Sequence, residues 1–436
     1  MLNTKNNTLL YVFLVGLLAS CSSSDEVTIL KTGDSFDKDG VSFCVLQNSD
    51  NGKTVEAVSC VGGDVVIPSM VAYGGTDYLV ESVDLRKAEQ PVTSLTISEG
   101  ISNVSTIVGN ENLCKIRRVA LPGSMEYVDN QLAYCPELEE VYLSEGIKRL
   151  DGEAFMNARL RELHIPASLT EIGSGGNYGT SDRPGAIYLY VDCLEKIDVA
   201  SDNPVFGCGD KSNVLIHKPS KGLMAGNSSG YIPKEVKTVF KYAFRWSDQY
   251  DKEVVIDIPD GVETIEGWAF EAPRISSITI PASVQDVLGY AFRGDGLKSV
   301  KIADGSEELR FRDQYNMPVR CLIPYSEIYD WDLDEVYVGR NTELFVLNAF
   351  EPSSSMKLGT LTIGPMVTSL NWNTYEEWTN KWTVTSVVSY IGDPALVDPL
   401  FPESVFNDAV LYVPQDLKES YMVSSWNRFA QIKELP

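Results

Sequence analysis

Short stretches of alternating apolar and polar residues recur along the chain, and each predicts a β-strand with one buried face. The best formed read apolar-X-apolar-Pro, as in Ile278-Thr279-Ile280-Pro281 and Leu163-His164-Ile165-Pro166. Proline has no amide donor for a ladder, so it ends the strand. The copy at Val141-Tyr142-Leu143 ends instead on Ser144-Glu145-Gly146, a turn signal. The last strand residues recur at Leu121, Leu143 and Ile165, and again at Ile258, Ile280 and Ile302, each step 22 residues long. Looser copies fall at Ile67, Ile97, Ile232, Val338, Ile363 and Val413.

A second mark keeps the same period. Gly-X-Ala-Phe occurs at 152–155, 267–270 and 289–292, and Ala243-Phe244 and Ala349-Phe350 keep its last two residues. A coil of 22 residues cannot bury its own apolar side, so the copies must stack. In such a stack phenylalanine fills the space between turns and alanine lets neighbouring backbones approach.

The full pattern Leu-X-X-Ile-X-Ile-Pro-X-X-Val-X-X-Ile-Gly-X-X-Ala-Phe, carried here by residues 275–292, resembles the BspA-type leucine-rich repeats of bacterial surface proteins. The resemblance covers residues 65–432, with a longer repeat variant near 197–244 and weaker copies over 305–408. It implies a β-rich leucine-rich-repeat solenoid of roughly a dozen coils, with short strands on one face and turns and short helices on the other. It also implies a surface protein that binds a partner rather than an enzyme.

The flanks read differently. Residues 36–64 alternate without the repeat and contain Asn51-Gly52, a favoured turn pair, so they predict a β-hairpin cap over the first rung. The solenoid is assigned to 65–408, and residues 409–436 to a last strand and a helical closure carrying Tyr421, Trp426 and Phe429. At the start, Lys5 precedes a ten-residue apolar run over 9–18, too short to span a bilayer and typical of an export signal over 1–20. Leu18-Ala19-Ser20-Cys21 resembles a bacterial lipobox, which makes Cys21 the lipidation site. Residues 21–35 follow as a flexible tether. Its Ser22-Ser23-Ser24-Asp25-Glu26 resembles the surface-export signal of lipoproteins in gut-dwelling Gram-negative anaerobes. The expected address is therefore the outer membrane, with the protein exposed at the cell surface.

Charge and chemistry narrow the function. The 436 residues include 61 acidic and 36 basic side chains, a net charge of −25. That excess disfavours nucleic acid and anionic lipid as direct partners, leaving the lipid anchor as the only membrane contact. With 2 histidines and no nucleophile elbow, P-loop or His-Glu-X-X-His, no catalytic residue, cofactor or metal site is assigned. No Cys-X-X-Cys occurs, and Cys44 and Cys60, on the two strands of the predicted hairpin, form a candidate disulfide. Cys135 reads as a small buried hydrophobe. The most suggestive patch holds Trp372, Tyr375, Trp378 and Trp382 among Asn and Thr, candidate contacts for sugar rings or a protein. The reading is a non-catalytic surface lipoprotein that binds a protein or glycan on host or neighbouring cells through an extended repeat face. The alternatives are a glycan-capture accessory of a polysaccharide uptake system and a structural envelope spacer.

Overall fold

The structure, a computed structural model, describes residues 29–105, 110–174, 177–178, 185–209, 213–247, 249–271, 275–289, 291–293, 297–312, 330–342, 355–370 and 382–436. The signal and Cys21, Cys321, and the stretch with Trp372, Tyr375 and Trp378 lie outside them. No helix among the described residues is long and apolar enough to cross a membrane.

The chain winds into a β-solenoid of about 13 turns. The apolar-X-apolar segments stack as parallel strands. One ladder runs through Gly63–Ile67, Val92–Ile97, Arg118–Leu121, Glu140–Leu143, Glu162–Ile165 and Lys196–Val199. A second begins at Ser277–Ile280 and Ser299–Ile302 and continues through Asp330–Val338, Ser355–Ile363, Trp382–Ser389, Val410–Val413 and Gln431–Glu434. Along each strand the apolar residues point inward, as Val141, Leu143, Leu163 and Ile165 do, all at 5% exposure or less.

The other sides of the coil hold the expected turns and short helices in the N-terminal half, as 3₁₀ turns at Leu113–Lys115, Gly123–Met125 and Asn130–Leu132, and add short strands elsewhere. The Val-X-X-Ile segments build a further parallel ladder, Thr238–Val239, Thr264–Ile265, Asp286–Leu288 and Arg310–Arg312. The Ala-Phe pairs build another, Phe244–Arg245, Phe270–Glu271 and Phe292–Arg293. Two or three residues cannot nucleate a helix, whereas they can pair with the same residues one turn away. Among the described residues the α-helices are confined to Glu403–Asp408 and Lys418–Met422. The phenylalanine rings stack down the core, Phe244 on Phe270 and Phe270 on Phe292, each with centroids 5.3 Å apart.

Side chains also tie one coil to the next. Glu145 accepts from the amides of Ala167 and Ser168 at 2.7 and 3.1 Å, while Ser168 Oγ accepts from Gly146 N and donates to Ile147 O. Glu99 and Ser124 make the same exchange two coils earlier. The Ser-Glu-Gly turn is thus a reciprocal clamp as well as a strand stop, and Gly146 adopts φ 112° there, a value that L side chains rarely take.

At the N-terminus, Val41–Ser49 and Gly52–Cys60 pair as a hairpin. Its two loop residues are Asp50 and Asn51, one position earlier than the Asn51-Gly52 pair expected, because Gly52 already pairs with Ser49. The sheet gains Ser35–Lys38 through Asp39-Gly40 and the hairpin Met70–Tyr73/Thr76–Val83 through Gly74-Gly75. Both links have positive φ at both loop residues, the twist that tight hairpins need.

The C-terminal closure is not one helix. Lys418–Met422 gives way to a 3₁₀ turn, Ser425–Arg428, because Ser424 Oγ accepts from Trp426 N, and the strand Gln431–Glu434 follows. Tyr421 and Trp426 are fully buried, with Trp426 Nε1 donating to Val397 O at 2.8 Å. The Tyr421 hydroxyl lies 2.6 Å from Ser389 Oγ and donates to Ile391 O at 3.0 Å. Burial pushes its pKa up to about 12. An unfolded tyrosine releases its proton near pH ~10, so the buried phenol's contribution is complete below that pH and is lost as pH rises through about 12. Denaturant unfolding at about pH 8 and about pH 11 should show a smaller loss in Tyr421→Phe than in the wild type. Equal losses would mean that this phenol is not the group that titrates.

Candidate binding surface

The parallel register turns the repeat strands into a ruled surface. On the N-terminal ladder the outward residues form two columns, Ser94-Arg118-Glu140-Glu162-Lys196 and Thr96-Ala120-Tyr142-His164-Asp198. Each position repeats because the parallel register holds through coils of different length, and each points outward because its neighbours are the buried Val, Leu and Ile. Opposite charges pair on this face: Arg118 Nε lies 3.1 Å from Glu140 across two rungs, and Lys196 Nζ 3.3 Å from Asp198 along one strand. At the first rung Asp64 accepts from the Thr93 and Ser94 hydroxyls at 2.9 and 2.8 Å, and these bonds hold its carboxyl below the usual range.

Beside these columns runs a second charged edge. Lys115 pairs with Glu137 at 2.7 Å, Arg117 with Glu139 at 2.5 Å and Arg161 with Glu195 at 2.8 Å. It borders an open groove of about 700 Å³, whose walls include Arg117, Arg159, Arg161, Glu195 and Leu194. On the C-terminal ladder the outward positions change character. Ser277, Thr279, Ser299, Lys301, Thr360, Thr362 and Ser386 make it rich in hydroxyls, with Tyr337 donating to Asp304 at 2.7 Å.

A third feature stands on another edge. Tyr188 and Tyr242 have ring centroids 4.5 Å apart, and Tyr242 and Trp268 6.3 Å. Lys241 Nζ lies 4.9 Å from the Tyr242 ring, and the Arg245 guanidinium lies 4.9 Å from Tyr190 and 5.7 Å from Tyr188. Tyr242 and Trp268 both hold φ 63°, an unusual conformation for aromatic residues that aims the half-buried rings to one side of the coil. Burial raises the pKa of Tyr242 and of Tyr188. This column was missed in the sequence, although its signal is there. The residue before Ala-Phe is Tyr242, Trp268 and Tyr290 in successive copies, an aromatic position that the pattern leaves as X.

Of the expected contact residues, Trp372, Tyr375 and Trp378 lie outside the described residues, and Trp382 opens the strand Trp382–Ser389, its backbone paired with Met356. The expected Cys44–Cys60 disulfide is not present; both thiols are free. The register sets Cys60 opposite Val41 on the buried face and Cys44 opposite Glu56 on the other, so the side chains leave the hairpin in opposite directions. The cysteines that the coil brings within hydrogen-bonding reach are Cys114 and Cys135. Cys135 is fully buried, and burial pushes its thiol up to about 12.

Parallel ladders, a recurring coil and a phenylalanine spine define a leucine-rich-repeat solenoid. Residues 88–181 and 227–317 match the family model for the BspA type leucine-rich repeat region, in six copies, and these stretches are BspA-type leucine-rich repeats. No curated protein matches the chain. Among solved structures it is similar to the pneumococcal vaccine antigen PcpA (17% identity, TM-score 0.43, covering 93% of this chain and 100% of that one). It is also similar to a leucine-rich-repeat protein of Bacteroides ovatus (15%, 0.45, 92% and 100%). A leucine-rich cell surface protein of Faecalibacterium prausnitzii matches at 16% identity and TM-score 0.35, covering 93% and 96%.

Proposed function

We propose that this protein is a lipid-anchored surface protein that holds a macromolecular partner, a protein in the first instance, on the ruled strand face. The observation that carries this reading is the pair of outward columns, five residues each, in unbroken register on the N-terminal ladder. Such a face offers charge and shape over many coils at once, which suits a large ligand better than a small one. The groove beside it sets Arg117, Arg159 and Arg161 against Glu139, Asp192 and Glu195 in ion pairs, and so offers charges of both signs to the partner's side chains. Anchoring rests on Cys21, and Cys21→Ser should move the protein from the membrane fraction to the soluble one.

The test is binding of the labelled protein to a panel of extracellular glycoproteins, before and after enzymatic removal of their glycans. Binding that survives deglycosylation and falls at least tenfold in Arg117→Glu/Arg161→Glu supports the reading. Binding insensitive to that double variant argues against it. The aromatic column favours a second reading, capture of glycan. There, binding would vanish on deglycosylation and weaken in Tyr242→Ala, Trp268→Ala or the variants Trp372→Ala, Trp378→Ala and Trp382→Ala.

A further inference from the structure

We infer that Glu140, Glu162 and His164 form a binding site for one divalent cation of the zinc class. The three lie on adjacent strands, with Glu140 directly opposite Glu162 and Tyr142 opposite His164. One potential ligand atom from each falls within 4.8 Å of the others.

The tautomer of His164 carries the argument. Its Nδ1 lies 3.3 Å from Asp198 Oδ2. A carboxylate can only accept, so Nδ1 carries the hydrogen and a neutral ring keeps its lone pair on Nε2. That nitrogen is sealed from solvent and has no hydrogen bond. It faces Glu162 Oε2 at 3.5 Å. A lone pair aimed at a carboxylate oxygen, with no water able to reach between, is repulsive unless something positive sits there. A zinc-class ion with bonds of about 2.0–2.1 Å in tetrahedral geometry separates its donors by roughly 3.3 Å. The Nε2–Oε2 pair already has nearly that spacing, and a small rotation of the Glu140 side chain completes the set.

The surroundings have the form of an outer shell. Asp198 orients the imidazole from behind, as a carboxylate behind a metal-bound histidine does, and Lys196 at 3.3 Å steadies Asp198. The Tyr142 ring stacks on His164 at 4.0 Å with planes 9° apart, and its hydroxyl hydrogen-bonds Glu140. One tyrosine therefore fixes two of the three ligands. Arg118, 3.1 Å from Glu140 Oε2, is the group the cation must compete with. An imidazole with two carboxylates selects Zn²⁺, Co²⁺ or Mn²⁺ over Ca²⁺ and Mg²⁺, which prefer an all-oxygen shell. The half-exposed position leaves water as the remaining ligand.

Two histidines in the whole chain make the test clean. The ¹H–¹⁵N imidazole spectrum of the purified protein should show His164 as the Nδ1–H tautomer. One equivalent of Zn²⁺ should shift its resonances saturably and leave those of His217 in place. Glu162→Gln, which keeps shape and an exposed position, should weaken Zn²⁺ binding by calorimetry at least tenfold, and His164→Ala should abolish it. Far-UV circular dichroism checks that both variants remain folded. If His164 proves doubly protonated near pH 7 and ignores Zn²⁺, the positive charge is a proton and the proposal is overturned. It is equally overturned if binding survives in folded His164→Ala.

Discussion

Replacing Phe270 with alanine should destabilise the protein by about 3–5 kcal/mol, the range for removing a buried aromatic from a packed core. The ring is fully buried and is flanked on both sides, by Phe244 and by Phe292, at 5.3 Å with planes 15° and 4° apart. The substitution therefore breaks two ring contacts, each contributing about 0.5–1.5 kcal/mol beyond area burial. It also opens a gap that the adjacent coils cannot close without leaving their ladders. Stability in a solenoid is carried by neighbour-to-neighbour interfaces, so the defect creates an internal end. Urea unfolding should show the lower midpoint, and limited proteolysis should find a new cleavage site near this coil. A loss below about 1 kcal/mol would mean that the coils relax into the space and that the spine is not a continuous structural element.

Arg340→Met should cost a similar amount, for a different reason. Arg340 is fully buried with no carboxylate partner among the described residues, and burial lowers its pKa. Its Nη1 donates to Ala282 O at 2.8 Å, and its Nη2 to Pro281 O and Val284 O at 3.0 and 2.7 Å. Two effects compete. Removing a buried charge relieves a desolvation cost of several kcal/mol, and exchange of buried ion pairs for apolar residues is often neutral or better. Here, however, the partners are main-chain carbonyls, which cannot be exchanged along with the arginine. Ala282 O and Val284 O would be left dry, each at a cost of about 1–3 kcal/mol, while Pro281 O would keep only its bond from Val284 N. We expect a net loss of about 3–5 kcal/mol, with Arg340→Lys intermediate because one ammonium reaches fewer carbonyls. A methionine variant as stable as the wild type would show that desolvation dominates at this site.

The same carbonyl pattern is served elsewhere by another residue. Asn203 Nδ2 donates to Pro166 O at 2.7 Å and Leu169 O at 2.9 Å, the positions that Pro281 and Val284 occupy in their own turn. Both turns have the form Pro-Ala-Ser-apolar, and neither donor was legible beforehand. Nothing in a one-dimensional pattern says that a polar residue 34–59 positions downstream will fold under a turn. The Ser-Glu-Gly clamps were half legible: their glycine marks a turn, but the bonds from Glu145 to the next coil exist only once that coil is laid beside it.

The binding surface divides in the same way. His164 stands at the polar position of an apolar-X-apolar strand, so its outward direction is legible in the sequence. Its company is not, because Glu140, Tyr142 and Asp198 lie 24, 22 and 34 residues away and meet it only through the register. The hairpin at the start was visible in its alternation, yet whether Cys44 and Cys60 share a face depended on a bulge between Ser42 and Phe43 and on the strand offset.

Period-two alternation stops at proline or glycine, and a second aromatic mark holds the same 22-residue spacing. Those local signals dictate a strand, a turn and a stacked coil wherever they occur, since a lone coil cannot keep its apolar side from water. They are properties of neighbouring residues, so they can be read in order along the chain. Which side chains stand next to each other on adjacent coils is a property of the stack. The coil length sets the partners, and only the folded ladder brings a histidine nitrogen to a glutamate oxygen or a guanidinium beneath a turn.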